Sequence, residues 1–246
     1  MTLKWSSQYA PVDGDFSNVS ILLLGEGANG STTITDSSGS PKTVTAVGNA
    51  QISTAVNTPF GTGDGVLTFD GNGDYIESPE SSAFAYGTGD FTIEMWLYPA
   101  SGMSIFSTFY NNLLSAGNNT GFYLWTQPAG AGFYSIDLLP SDAAYIVNSD
   151  GDDIQANTWS HFALTRSGTT IRGFVNGTQI WTATSSLNIT ANKIRLANPL
   201  GNTSGQDWNG YISNLRITKG VARYTENFDV PTAPFPIYSP TTRAQV

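Results

Sequence analysis

The chain has 246 residues, no cysteine, 12% charged, 39% hydrophobic and 12% aromatic residues, and a net charge of −9. That length accommodates one large all-β domain, the lack of cysteine excludes disulfide and thiolate chemistry, and the negative charge argues against nucleic acid, whose binders need Lys and Arg to displace counterions. No run approaches the roughly 20 apolar residues of a membrane helix, so no membrane insertion is expected.

Ser, Thr, Asn and Gly stand where Glu and Lys would solubilise helices, a profile suited to a β-rich surface. The charge is segregated: residues 1–165 carry 2 basic and 16 acidic residues, residues 166–246 carry 8 and 3. In a sandwich this arises when strands from the two ends of the chain become neighbours.

Residues 1–18 read as an arm or an early edge segment, with Trp5 and Tyr9 as anchors on the core or on a partner chain. The opening MTLKWSSQYAP lacks the apolar core of a signal peptide, so an extracellular role implies another route out of the cell, such as lysis. Val19–Leu24 is a continuous apolar run, suited to a strand buried on both faces. Short strands are predicted at 32–35, 42–47 and 52–56. The organising stretch runs from Gly65 to Pro99: an apolar run ending in Phe69, a turn at Asp70-Gly71, a second run at Tyr75-Ile76, and then Phe91, Ile93, Met95 and Leu97 on alternate positions. Further strands are predicted at 104–110, 121–126, 133–138 and 145–147, the second and third pairing across residues 128–132. Residues 159–167 and 171–175 form the clearest hairpin, and Asn176-Gly177 is the strongest two-residue turn signal, leading into 179–181. Strands at 193–196 and 208–218 follow. The tail from Tyr224 carries Pro231, Pro234, Pro236 and Pro240 and is expected to be extended and irregular.

The set TFDGNGDYI, DFTIEMWLYP, WSHFALTRSGTTIRGFVNG and GYISNLRI, in that order, resembles the laminin-G-like jelly rolls of the concanavalin A-like superfamily over roughly residues 20–220. The resemblance implies an all-β, two-sheet antiparallel jelly-roll sandwich, with an arm over 1–18, the jelly roll over 19–223 and a Pro-rich tail over 224–246. The segments GANGSTTITDSSG and RITKGVARYTENFDVPTAPFP look like those of bacteriophage tail-fibre and other virion modules, which implies a multicopy or homo-oligomeric protein on a virion surface, in contact with other virion proteins.

The superfamily includes glucanases, which carry an E-x-D-x-x-E pattern on one strand. Retaining glycosidases need two carboxylates about 5–5.5 Å apart. Glu94 stands alone in FTIEMWL, and Asp150, Asp152 and Asp153 fall in a Gly-containing loop, so no enzyme is expected. His161, the only histidine, sits between Trp159 and Phe162 and reads as a ring wedged near the core with its nitrogens satisfied. The resemblance places a calcium site where first and last strands meet, with Glu26 and Asp70 as ligands. Ser213 stands where relatives carry Asp, which removes a charged ligand. Asp36 and Asp207 are further loop carboxylates, and the alternative is that Asp36 and Asp70 simply accept bonds from nearby amides in turns.

A sugar site is the leading expectation. Tyr123, Trp125 and Tyr134 lie on an aromatic-rich hairpin, and Asn202, Gln206, Asp207 and Trp208 on a polar loop. Either group would form a shallow platform, while the alternative for each ring is the sandwich core, for which Trp96, Trp159, Trp181 and one of Trp125 or Trp208 are candidates. The function expected is attachment to cell-surface or environmental glycans. A structural capsid-decoration or fibre subunit, docking its arm and tail on a neighbour, is the second reading, and a glycoside hydrolase the third.

Overall fold

Period-two alternation of apolar residues builds two layers. In the computed structural model, which describes residues 12–61, 65–101, 111–116, 122–130, 133–140, 153–198 and 207–240, the strands are β1 (Val19–Leu23), β2 (Thr45–Val47), β3 (Gln51–Ser53), β4 (Val66–Asp70), β5 (Tyr75–Glu77), β6 (Phe91–Pro99), β7 (Asn111–Ala116), β8 (Phe122–Gly130), β9 (Phe133–Pro140), β10 (Ile154–Gln155), β11 (Ser160–Ser167), β12 (Thr170–Val175), β13 (Thr178–Thr184), β14 (Ile194–Leu196) and β15 (Asn209–Lys219). An eight-stranded antiparallel sheet runs β13-β12-β11-β6-β15-β4-β3, with β1 also on β15, and a seven-stranded one runs β10-β9-β8-β7-β14-β5-β2. Phe91, Ile93, Met95 and Leu97 of β6 enter one apolar cluster with Phe162, Leu164, Ile171 and Val175 of the neighbouring hairpin, as their alternation predicts. From the other sheet, Ile76, Leu124, Ile194 and Leu196 complete that cluster.

β15 is the longest strand and carries the most neighbours. Its first half pairs with β4 and its second half with β1, both on one flank, with β6 along the other. The switch occurs at a bulge where Asn214 adopts φ 52°, a conformation Asn tolerates, and its amide bonds back to Leu24 O at 3.3 Å.

Several expected strands are shorter or shifted. Residues 32–35 and 42–44 join no ladder, and between them the Asp36 carboxylate accepts the amides of Leu22 (3.0 Å), Ser38 (2.9 Å) and Lys42 (2.7 Å). β8 extends into the expected 128–132 loop as far as Gly130, and β9 starts at Phe133. Strand β7, absent from the sequence reading, follows the segment 104–110; that segment, 145–147, Trp5 and Tyr9 lie outside the described residues.

The outward row of β6 carries the decisive chemistry. Glu94 has no exposed surface. Its Oε1 accepts from Arg216 Nε at 2.9 Å and lies 2.8 Å from Arg216 Nη2, and its Oε2 accepts from the Tyr224 hydroxyl at 2.8 Å. Arg216 continues to Asp13 at 2.9 Å, and Arg223 binds the same Asp13 carboxylate through both terminal nitrogens, at 3.0 and 2.8 Å. Burial pushes the Glu94 carboxyl up, but the Arg216 charge and the contacts with His161 and Arg223 outweigh it and hold the group at about 2. Burial, together with the Glu94 charge, raises the Tyr224 phenol, keeping it a neutral donor.

These partners come from the two ends of the described chain, so the Pro-rich tail is a strap on its own sheet, not the loose partner-docking segment the structural reading expected. Tyr224 stacks on Phe228 with ring centres 3.6 Å apart. Phe235 packs with Phe16, Val19, Leu22 and Leu24 in a second apolar cluster, under the Arg216 guanidinium at 3.9 Å, and Tyr238 O accepts from Asp13 N at 2.9 Å. No ladder forms over 221–239, as its prolines led one to expect. The Asn176-Gly177 turn receives the strap: Phe228 N donates to Gly177 O at 2.9 Å, and a Cβ on Gly177, whose φ is +77°, would collide with the Phe228 carbonyl oxygen. His161 is fully buried beneath this strap, beside Trp96 and Phe228. Contrary to the expectation of satisfied nitrogens, Nδ1 has no hydrogen-bond partner and Nε2 sits 3.5 Å from Glu94 Oε2, too long for a good bond.

Two outcomes follow from this packing. The Glu94 contribution to stability is complete above pH 4.5, the ordinary glutamate value, and is lost as pH falls from there toward 2, because the folded state must then protonate a group that it holds ionised; Glu94→Ala costs about 3–5 kcal/mol at pH 7 in urea denaturation, leaving Arg216 buried without its main anion. Gly177→Ala loosens the strap selectively, so limited proteolysis cuts after residue 220 before the sheets unfold; equal cleavage rates in variant and parent would contradict this.

Candidate functional site

With the strap on the eight-stranded sheet, the outer face of the seven-stranded sheet is the one that no described segment straps in the same way. Its residues follow from phase. Ile76, Leu124, Thr126, Ile194 and Leu196 are buried toward the core, so Tyr75, Glu77, residues 123 and 125, and Arg195 belong to the opposite face. The register aligns them in rows: Glu77 opposite Arg195, Arg195 opposite Ser115, Ser115 opposite Tyr123, and Asn112 opposite Trp125, which in turn faces Asp137.

Arg195 organises the described part of this face. Its guanidinium lies 4.0 Å from the Tyr75 ring centre, donates to Glu77 Oε2 from Nε (2.9 Å) and Nη2 (2.6 Å), and reaches Asn198 Oδ1 from Nη1 at 3.1 Å. Lys193 adds a second cation 2.5 Å from Glu77 Oε1. Burial works to raise the Glu77 carboxyl, but hydrogen bonds from Lys193 and Arg195 prevail and lower it, so it stays ionised. Asn198 then donates to Asp207, whose other oxygen accepts Gly73 N at 2.9 Å, tying the sheet to its rim. The sequence reading missed Tyr75, Glu77, Lys193 and Arg195 as site residues. The signal was present in Tyr75-Ile-Glu77 and Lys193-Ile-Arg195: two short strands with complementary charges on alternate positions.

The residues expected to bind sugar separate. Residues 123 and 125 share the outward phase of β8, opposite buried Leu124 and Thr126. Tyr134 does not join them: it pairs with Pro128 and with Ile154, which is buried in the core, so it takes the opposite face of the sheet. Trp208 is corrected from platform to core, with no exposed surface and a place in the main apolar cluster. Asp207 is a buried rim residue whose oxygens are committed to Asn198 and Gly73. Asn202 and Gln206 lie outside the described residues.

The residues expected to hold calcium do not fit one ion. Gly25 packs against Val66 at the start of β4, whereas Asp70 ends that strand, so Glu26 and Asp70 are separated by roughly 13 Å at the usual rise per residue. Asp70 instead closes a turn, accepting from Asn49 Nδ2 (2.8 Å) and Asn72 N (2.9 Å), and these bonds, led by that from Asn49, lower its pKa. Burial raises Asp74 beside it, but Asp74 has no exposed surface and accepts the amides of Asn49 and Asp70. Ser213 is buried with its hydroxyl 3.4 Å from Leu24 O. Among the described residues no group of three or more His, Cys, Asp or Glu converges on a common point.

Comparison with known proteins agrees with this architecture. A family model of laminin-G type, described as the concanavalin A-like lectin/glucanases superfamily, matches residues 70–225, and the chain belongs to that superfamily. No curated protein matches it in sequence. Among solved structures it is similar to the binding domain of Paraclostridial Mosquitocidal Protein 1 (TM-score 0.62, 16% identity, 84% of this chain and 50% of that one). It is also similar to domain 4 of a GH43 extracellular arabinanase from Geobacillus stearothermophilus, solved with arabinotriose (0.58, 16%, 83% and 94%), and to the botulinum neurotoxin serotype D binding domain (0.57, 15%, 85% and 50%). The chain thus spans about half the length of the two toxin domains.

Arg195→Ala is expected to cost about 1–2 kcal/mol in urea denaturation, because it removes two charge-assisted bonds to Glu77 and the link to Asn198; Arg195→Lys, which cannot form the fork, recovers less than half of that loss.

Proposed function

We propose that this member of the concanavalin A-like superfamily is a non-catalytic glycan-binding module whose ligand lies across the outer face of the seven-stranded sheet. The observation that carries the reading is phase: Tyr123 and Trp125 alternate with buried Leu124 and Thr126 on the sheet that the strap leaves uncovered. Aromatic faces suit the C–H faces of sugars, and the neighbouring Glu77–Arg195 pair and Asn112 provide acceptors and donors for hydroxyls. The similarity to toxin binding domains and to a domain solved with arabinotriose supports the same class. A shallow face of this kind works through many weak contacts, and multiple copies raise avidity by orders of magnitude.

A hydrolytic reading is disfavoured by the carboxylates. Glu94 and Asp13 are locked by two arginines under the strap, and Asp74 is sealed in its turn. Attachment of a virion to surface glycans is the finer form of the proposal; it rests on the resemblance of residues 27–39 and 216–236 to segments of virion proteins. The purely structural reading loses support from the tail, whose Phe228 and Phe235 pack on the chain's own sheet.

The test is a multivalent display of the protein on a glycan array. Trp125→Ala is expected to abolish the signal, while Trp208→Phe, a conservative change in the core, leaves it within about twofold. Retention of the full signal by Trp125→Ala, or the absence of any bound glycan at high valency, would contradict the proposal.

A further inference from the structure

A second polar cleft lies on the other sheet, where the strap crosses the outer strands. It has a volume of about 580 Å³ and is lined by Arg172 of β12, Gln179 and Thr182 of β13, and Thr225, Glu226 and Asn227 of the strap. Its walls are fixed: Asn227 Oδ1 accepts Gln179 N at 2.9 Å, Phe228 N donates to Gly177 O at 2.9 Å, and the Thr182 hydroxyl donates to Ile171 O at 3.2 Å.

Arg172 sets this cleft apart. Four of the five described arginines are committed: Arg166 to the carbonyls of Gly168 and Leu187, Arg195 to Glu77, Arg216 to Glu94 and Asp13, and Arg223 to Asp13 and Thr218. Arg172 alone among them has neither an ion pair nor a side-chain hydrogen bond to another described residue, and its Nη1 is buried without a partner. A shielded guanidinium nitrogen without an acceptor carries a desolvation cost that an anion in the cleft would remove.

We propose that this cleft binds a carboxylate-bearing sugar residue, with Arg172 taking the carboxylate and the amide and hydroxyl side chains taking ring hydroxyls. The planar fork of arginine matches a carboxylate. No apolar side chain lines the cleft, which argues against an acyl or aromatic ligand, and its volume falls within the range of small-ligand sites. Glu226 on the lip accepts hydroxyl protons and repels a dianionic phosphate more strongly than a singly charged carboxylate. This site is separate from the ring-bearing face of the seven-stranded sheet and does not depend on it.

The experiment titrates the full chain, by calorimetry at low salt, with trigalacturonate, triglucuronate and 3′-sialyllactose, and with the methyl ester of whichever binds. At least one acid is expected to bind, and esterification or Arg172→Gln to weaken it about tenfold or more, the scale of a charge-assisted bond. Glu226→Gln tightens binding by removing a competing anion, and Trp125→Ala leaves it unchanged. An unchanged melting temperature for Arg172→Gln confirms that its loss is local; should that variant unfold, Thr182→Val replaces it and is expected to weaken binding severalfold. The proposal is overturned by binding of none of the three acids, by equal affinity of the ester, by full affinity in the Arg172 or substitute variant, or by competition from inorganic sulfate as strong as from the sugar. Loss of binding in Trp125→Ala would move the acid to the other sheet and overturn this assignment while sparing the glycan-binding reading.

Discussion

A carboxylate at the centre of a sheet, with no exposed surface, cannot be left without cations, and Glu94 is that carboxylate. Its cations come from far along the chain: Arg216 from the last strand and Arg223 from the strap, with Asp13 from the other end binding both. The network therefore measures whether the two ends of the described chain have come home. Apolar contacts of Phe235 and the Tyr224–Phe228 stack exclude water from it, and exclusion of water is what makes the ion pairs strong. Replacing such a network by apolar residues is often neutral for stability; here the charges join Asp13, the last strand and the strap in one buried cluster.

Closing one face this way makes the sandwich asymmetric. The eight-stranded sheet gives Thr92 and Glu94 of its outer row to the strap and carries the Arg172 cleft at its margin. The seven-stranded sheet spends its core-facing row on packing, and Tyr75, Glu77 and Arg195 form the described part of its outer row. The same division of labour accounts for the segregated charge of the sequence: Glu77 meets Lys193 and Arg195, while Asp13 and Glu94 meet Arg216 and Arg223, acid from the first part of the chain against base from the last.

Much of the fold was legible from local rules. Alternation in Phe91–Leu97 and around the Asn176-Gly177 turn gave correct strands, because each needs only its own neighbours to choose a face. The turn roles of Asp36 and Asp70, the alternative to calcium ligation, also need only near neighbours in the chain. The site was less legible because it depends on register. Tyr134 looks equivalent to Tyr123 in the sequence, yet its pairing with Ile154 assigns it to the other face. Trp208 sits beside a polar loop but directly precedes β15 and is buried in the main apolar cluster. The prolines of the tail correctly indicated irregular structure, but prolines do not reveal what a segment packs against, so self-docking through Tyr224, Phe228 and Phe235 was hidden. Arg172 and Arg195 look alike in sequence, each preceded by Ile; only the fold shows that one has its carboxylate and the other lacks it.

Backbone hydrogen exchange, with and without a saturating multivalent neutral glycan drawn from the array, tests the central division of the two sheets most directly. The account predicts added protection in β5, β7, β8 and β14, with β6, β15 and residues 221–239 exchanging as slowly as in the free protein. Protection appearing instead in the strap, or strap amides exchanging freely before any ligand is added, would contradict it.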